Sequence, residues 1–424
     1  MNKNNWTGFL VALIVWLGMG CVSLYAEVTV TNVSVQQRWP WNGLVDITYS
    51  IECDEMDKET EKEVYVMFTG IDNVRNHIIS MTSLTGNGAH DSVKNGGPYT
   101  VTWNAGKDYP NFNSDSFQVK IQAMAGLLTY MVIDLSGGSS TTQYPVHFTK
   151  AEPNITKDTC RTTELWLRRI PAGTFTMGAD NSEKGFWGNE SPKHQVTISR
   201  VFYIGIFECT QKQWELVMGS NPSETIKYDW CPVDHVSFNM IRGSSSTGGG
   251  GWPASKHAVD TSSFMGKIRE KTGLIFDLPT EAEWEYSCRA GATTALNSGK
   301  NLINISGKDE NMNEVGRYPG NRYDERGGKG LTYYTKVGSY KANNWGIYDM
   351  HGNVREWVLD WTGNYSSAPV TDPVGPSSGA RHWMRGGDYT YGPQHCRSSA
   401  RMNSNQPGDR YGDCGFRVVC LVSP

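Results

Sequence analysis

The stretch RGGDYTYGPQHCRSSAR, residues 385–401, sets one cysteine among three arginines, two tyrosines and a histidine. A thiol at Cys396 could act as a nucleophile or redox group, as a ligand for a soft metal, or as half of a disulfide. Other segments carry groups that could do chemistry. PTEAEWEY, residues 279–286, offers Glu281, Glu283 and Glu285. Carboxylates two residues apart do not face each other on a helix, so at most one serves any given site. Thr280 and Glu283 instead have the spacing of a capping box. His194 and His235 read as loop-packing histidines, and no Cys/His spacing matches a zinc site. GSSSTGGGGW, residues 243–252, lacks the GK[ST] and strand–helix context of a phosphate loop.

Two helices are expected to brace these residues. TQKQWELVMG, residues 210–219, has Thr210 as N-cap and Gly219 as stop. SSFMGKIREKTG, residues 262–273, puts Phe264 and Ile268 on one face and stops at Gly273. From Glu27 to about Lys150 the text is strand-like: VTVTNVSV, LVDITYSI, EVYVMFTGI, YTVTWNAG, FQVKIQAMA and YMVIDLS are separated by Asn/Gly/Asp/Pro turns. The pattern implies an immunoglobulin-like β-sandwich over residues 27–150. Its boundary is expected within residues 136–158, and a second domain over 160–424. The 46 Gly, 15 Trp and 20 Tyr of the 424 residues suit a turn-rich fold better than a helical bundle.

A formal charge of −4, from 39 basic and 43 acidic residues well interspersed, excludes a dense basic face, so no nucleic-acid partner is expected. Residues 1–26 read as a signal peptide: one Lys, an apolar run from Gly8 to Leu17, then small and polar residues up to Ala26. That run falls short of the ~20 residues of a comfortable membrane span. The expected location is therefore secreted, periplasmic or cell-surface, with no stable span after cleavage. The remaining cysteines, at 53, 160, 209, 231, 288, 396, 414 and 420, would then meet a compartment where disulfides form.

Seven phrases, in order, resemble the formylglycine-generating, or sulfatase-modifying factor, family over roughly residues 160–424: IPAGTFTMG, SPKHQVTI, FECTQKQWE, LPTEAEWEYSCRAG, NNWGIYDMHGNVREW, RGGDY and CGFRVV. The resemblance implies an α+β, C-type-lectin-like fold with little regular secondary structure. It also implies a chemistry: active members oxidise the cysteine of a CxPxR segment to formylglycine with oxygen and copper(I), held by two thiolates. Counted from Gly386-Gly387, the first thiolate position is Tyr391 and the second is Cys396. The family's serine after Gly-Gly is Asp388 here, and the tryptophan of its oxygen pocket is Arg355. With three departures at one site, copper is not expected. Asp388, Tyr391 and Cys396 mark the pocket-equivalent positions, and whether any enzyme activity remains is left open.

The resemblance implies two further features. A structural disulfide of the family corresponds to Cys288–Cys396. Cys414 and Cys420, flanking GFRVV, would be too far apart on a strand to bond each other, which leaves Cys160, Cys209 or Cys231 as candidate partners. A structural Ca²⁺ would be held by Asp349, the backbone oxygens of Gly352 and Val354, and Glu356, since Ca²⁺ takes six to eight hard oxygens. A second family cation site corresponds to Asn313 and Glu314, where Lys329 stands in place of an acid. The arginines at 385, 397, 401 and 417 are expected to stitch loops together through carbonyls and carboxylates. The expected role is an exported binding or scaffold module with a protein, small-molecule or glycan ligand. The alternative is an oxidoreductase with an altered site.

Overall fold

The computed structural model describes residues 28–421 apart from 39–41, 54–63, 73–76, 80, 82, 88, 90–92, 95, 109–116, 126–128, 245–250, 254–257 and 324–332. The signal-peptide segment, Lys329 and most of the 243–252 loop lie outside the described residues. The chain divides into a unit built on residues 1–128 and a second over 129–421.

In the first unit, all five strand-like runs before residue 128 are strands. Leu44–Cys53 pairs antiparallel with both Val28–Gln37 and Gly96–Asn104. In a second sheet, Val64–Asp72 pairs with Phe117–Ala125 and with His77–Ile79. Alternation decides what is buried: Val45, Ile47, Tyr49 and Ile51 are every second residue of one strand, and all enter a core shared with Val66, Phe68 and Trp103. Trp103 donates its indole N–H to Asp108 at 2.8 Å, so its burial leaves no orphan donor.

The sixth run, YMVIDLS, does not belong to that unit. Tyr130–Asp134 pairs with Glu164–Ile170 and with Val146–Thr149, inside a six-stranded sheet of the second unit. The boundary therefore falls near residue 128 rather than within 136–158, and the Gly/Ser-rich stretch is a connection inside the second unit. A strand's pattern reports burial, not which sheet completes its hydrogen bonds.

The second unit adds two smaller sheets, 173–177/194–198/370–371 and 402–405/382–385/355–361/414–415. Its helices are short. Gln211–Met218 and Glu281–Arg289 both carry complete capping boxes, from Thr210 with Gln213 and from Thr280 with Glu283. Phe264–Thr272 is capped by Ser263 and stops at left-handed Gly273. The five-residue helix Phe238–Arg242 has no counterpart among the sequence expectations, because one turn is too short to show a period. This sheet-rich, helix-poor unit is the mixed fold that the seven phrases imply.

Buried ion pairs join its loops. Arg385, with no exposed side-chain surface, donates to Glu281 at 3.0 Å and to Glu285 at 2.6 Å. Arg401 chelates Glu281 and Arg289 binds Glu285. The two helix carboxylates are thus consumed by guanidinium groups, which settles their role as structural. Arg397 does the same for Glu190 at 2.5 Å. Among the described residues no helix is long and apolar enough to cross a membrane.

Candidate functional site

The loop 386–396 begins at Gly386 and Gly387, with φ of +93° and +70°. Gly387 has no alternative: a Cβ there would stand 2.6 Å from the Cys396 sulfur and 2.7 Å from the His395 carbonyl. The turn thus presses directly onto Cys396. That thiol is fully buried in a cluster with Leu296, Leu302, Met312, Val315 and Tyr318. Burial, with the Asp388 carboxyl beside it, pushes the thiol well above its ordinary pKa. Such a thiol stays protonated and poorly nucleophilic.

The expected Cys288–Cys396 bridge is not made. Both thiols are free and buried, as are Cys160, Cys209, Cys231, Cys414 and Cys420. Cys288 Sγ instead lies 3.5 Å from Ser398 Oγ and 3.9 Å from His351 Nε2. Burial raises its pKa to about 12. His351 ties the two neighbourhoods together without joining the sulfurs. Its Nδ1 sits 2.6 Å from the Cys396 carbonyl and its Nε2 accepts from Asn297 N at 3.0 Å, which fixes a neutral ring protonated on Nδ1. Burial holds it at about 4. His351 was missed in the sequence, where it stands inside YDMHGN without a spaced partner.

Asp388 is buried beside Cys396. Its Oδ1 accepts from Thr390 N at 2.7 Å and Thr390 Oγ1 at 2.5 Å, while Oδ2 is buried without a partner. Burial and then the nearby Asp413 raise its pKa to about 6. Arg355 donates to Cys414 Sγ at 2.9 Å and to Asp413 Oδ1 at 2.7 Å, so a bulky cation is fixed there by two partners. Tyr391 points to another neighbour: its ring lies 5.1 Å from that of His395, which lies 5.4 Å from exposed Trp187. Asp388 and Cys396 are therefore together, and Tyr391 belongs to a row of rings reaching the surface.

The turn 349–356 lies directly against this loop, through Gly352 N donating to Gly386 O at 2.7 Å and Tyr389 N to Asn353 O at 3.1 Å. Asp349, Gly352 and Asn353 are left-handed, with φ of +57°, +87° and +69°. A Cβ on Gly352 would meet the Arg317 carbonyl at 1.9 Å. Asp349 Oδ2 accepts from Gly338 N at 2.6 Å, and its Oδ1 is buried without a partner. Burial raises Asp349 to about 6.

Glu356 has both oxygens engaged. Arg417 chelates it at 2.6 and 2.7 Å, and Trp284 Nε1 donates at 2.8 Å. Glu208, a residue that sequence reasoning passed over, accepts from Asn353 Nδ2 at 2.5 Å and Val354 N at 3.0 Å. Burial, then Asp349 and Glu356, raise Glu208 well above the ordinary carboxylate range. Among the described residues no three His, Cys, Asp or Glu side chains are arranged to hold a metal. A cation here would rest on Asp349 Oδ1 and backbone carbonyls, with Glu356 sharing its charge with Arg417. The orphaned Asp349 oxygen and the acidic surroundings fit a hard cation.

The second expected cation position is differently built. Glu314 O accepts from Lys341 N at 3.1 Å and Asn313 Oδ1 from Tyr318 OH at 2.8 Å, so both expected donors are already hydrogen-bonded. Asn313 and Glu314 line a surface cavity of about 590 Å³ with Lys308, Glu310 and Tyr323.

The second unit matches the sulfatase-modifying factor enzyme 1-like domain over residues 153–421. Formylglycine-generating enzyme of Bos taurus is 30% identical over 282 residues, covering 59% of this chain and 73% of the relative. Chaperone protein LppX of Paenibacillus barcinonensis is 33% identical over 210 residues, covering 43% of this chain and 69% of the relative. Among solved structures, PvdO from Pseudomonas aeruginosa is 25% identical with a TM-score of 0.47, over 61% of this chain and 94% of that one. Residues 153–421 are well over half of the sequence, and through them the chain belongs to the sulfatase-modifying factor family.

Proposed function

We propose that this chain is an exported member of the family that binds a ligand without copper chemistry, a calcium-stabilised binding or scaffold module. The observation that carries the reading is the pocket-equivalent loop itself. Tyr391 supplies a ring where a first thiolate is needed, and Cys396 is a core thiol packed under Gly387. Low-coordinate Cu(I) prefers soft sulfur ligands. One buried, protonated sulfur does not supply them. The row Tyr391–His395–Trp187 supports a binding role, since aromatic faces at a surface offer contact area to a protein, small-molecule or glycan ligand. The free Asp349 oxygen supports calcium on the 349–356 turn, where the ion would supply positive charge and cross-link the loop. The first unit, with two antiparallel sheets around one core, supports an immunoglobulin-like spacer. Export rests on residues 1–26.

Cu(I) affinity, measured by competition with a chromophoric chelator, tests this. The wild type is expected not to compete, and a stoichiometric Cu(I) complex that disappears in Cys396→Ala would overturn the reading. A second reading, an enzyme with altered chemistry, draws on the unpartnered Asp388 Oδ2 beside Cys396. It requires an activity that Asp388→Asn abolishes while the fold is kept.

A further inference from the structure

Glu208 is fully buried, yet it lies 141 residues or more from the turn it serves and is outside the expected ligand set. It engages the turn directly: Val354 N donates to Oε1 and Asn353 Nδ2 donates to Oε2. What it does is hold the peptide between residues 353 and 354, which separates the two carbonyls expected to bind a cation. It also holds Asn353 at φ +69°, a conformation that costs a non-glycine residue about 1 kcal/mol. Asn353 Oδ1 is fixed in turn by Thr335 N at 2.8 Å.

Three acids surround the turn. Glu208, Asp349 and Glu356 are all buried. Arg417 is spent on Glu356, and Arg161 donates to the carbonyls of Val337 and Ile155 and pairs with Asp158. Asp349 Oδ1 is the oxygen among them left without a partner. We infer that Glu208 is the positioning residue of this site, shaping the turn through two hydrogen bonds. The inference rests on the calcium reading and adds to it a residue.

Isothermal titration of the full chain with Ca²⁺ and with Tb³⁺ tests it. Glu208→Gln puts an NH2 where one of the two acceptor oxygens stood, so it can keep only one of the two bonds. Ca²⁺ and Tb³⁺ should both weaken by about tenfold, with their ratio unchanged. Glu208→Asp shortens the reach and should weaken both ions by one common factor. It also serves as the test variant should Glu208→Gln not fold. Unchanged affinities in Glu208→Gln, or a changed Tb³⁺/Ca²⁺ ratio in either variant, would overturn the role given to Glu208. A wild type that binds neither ion would overturn the calcium reading itself, a result distinct from the others.

Discussion

Arg417→Met isolates the interaction that anchors the 349–356 turn to the core. Arg417 and Glu356 have no exposed side-chain surface, and the guanidinium also donates to Gly205 O and Tyr348 O at 3.0 Å each. Removing it leaves Glu356 buried with only Trp284 Nε1 as donor. Breaking a buried pair from one side costs about 3–5 kcal/mol, and two carbonyls losing donors add roughly 1 kcal/mol each. The sum is a large share of the ~5–15 kcal/mol that holds a domain folded. Adding Glu356→Gln removes the stranded charge and should restore about 2 kcal/mol. Urea unfolding followed by tryptophan fluorescence, in chelator so that no cation contributes, reads both changes. A single variant within ~1 kcal/mol of wild type would refute the account of the buried pair. So would a double variant less stable than the single.

Three shorter predictions concern the loop. Gly387→Ala forces a Cβ to 2.6 Å from the Cys396 sulfur at φ +70°, and should cost at least about 2 kcal/mol in the same assay. Cys288 and Cys396 should both appear as free thiols in a non-reducing digest, and neither should react with a thiol reagent until the protein is unfolded. For Asp388, a folded pKa of about 6 lies above the ordinary 3.8, so its contribution is full below pH ~4 and is lost as the pH rises through 6. His351 works the other way: held at about 4, it loses stability as the pH falls from 6.5 towards 4. The stability difference between wild type and Asp388→Asn should therefore shift against wild type between pH 4 and 7, and a flat difference would contradict the burial of that carboxyl.

Local signals were legible and distant pairings were not. Thr280 with Glu283, Thr210 as an N-cap and Gly273 as a helix stop lie within a few residues of their partners, so spacing alone located them. The arginines were expected to stitch loops, but nothing in the text could say that Arg417 would choose Glu356 or that Arg385 would take Glu281 and Glu285. Those partners are 61 to 104 residues away. Cys396 shows the limit most clearly. Its hydrophobic cage comes from residues 296–318, so a thiol amid polar neighbours in sequence is apolar in space. Strand Tyr130–Asp134 was recognised as a strand and given to the wrong unit, because its pairing partner comes later in the chain.

The most direct test of the account incubates the purified chain with a CxPxR peptide, Cu(I) and oxygen, and follows the peptide by mass spectrometry. The account predicts an unchanged cysteine, because Tyr391 supplies no thiolate and Cys396 is sealed in the core. Conversion of that cysteine to formylglycine would contradict it, and would place the oxidase chemistry on this altered loop after all.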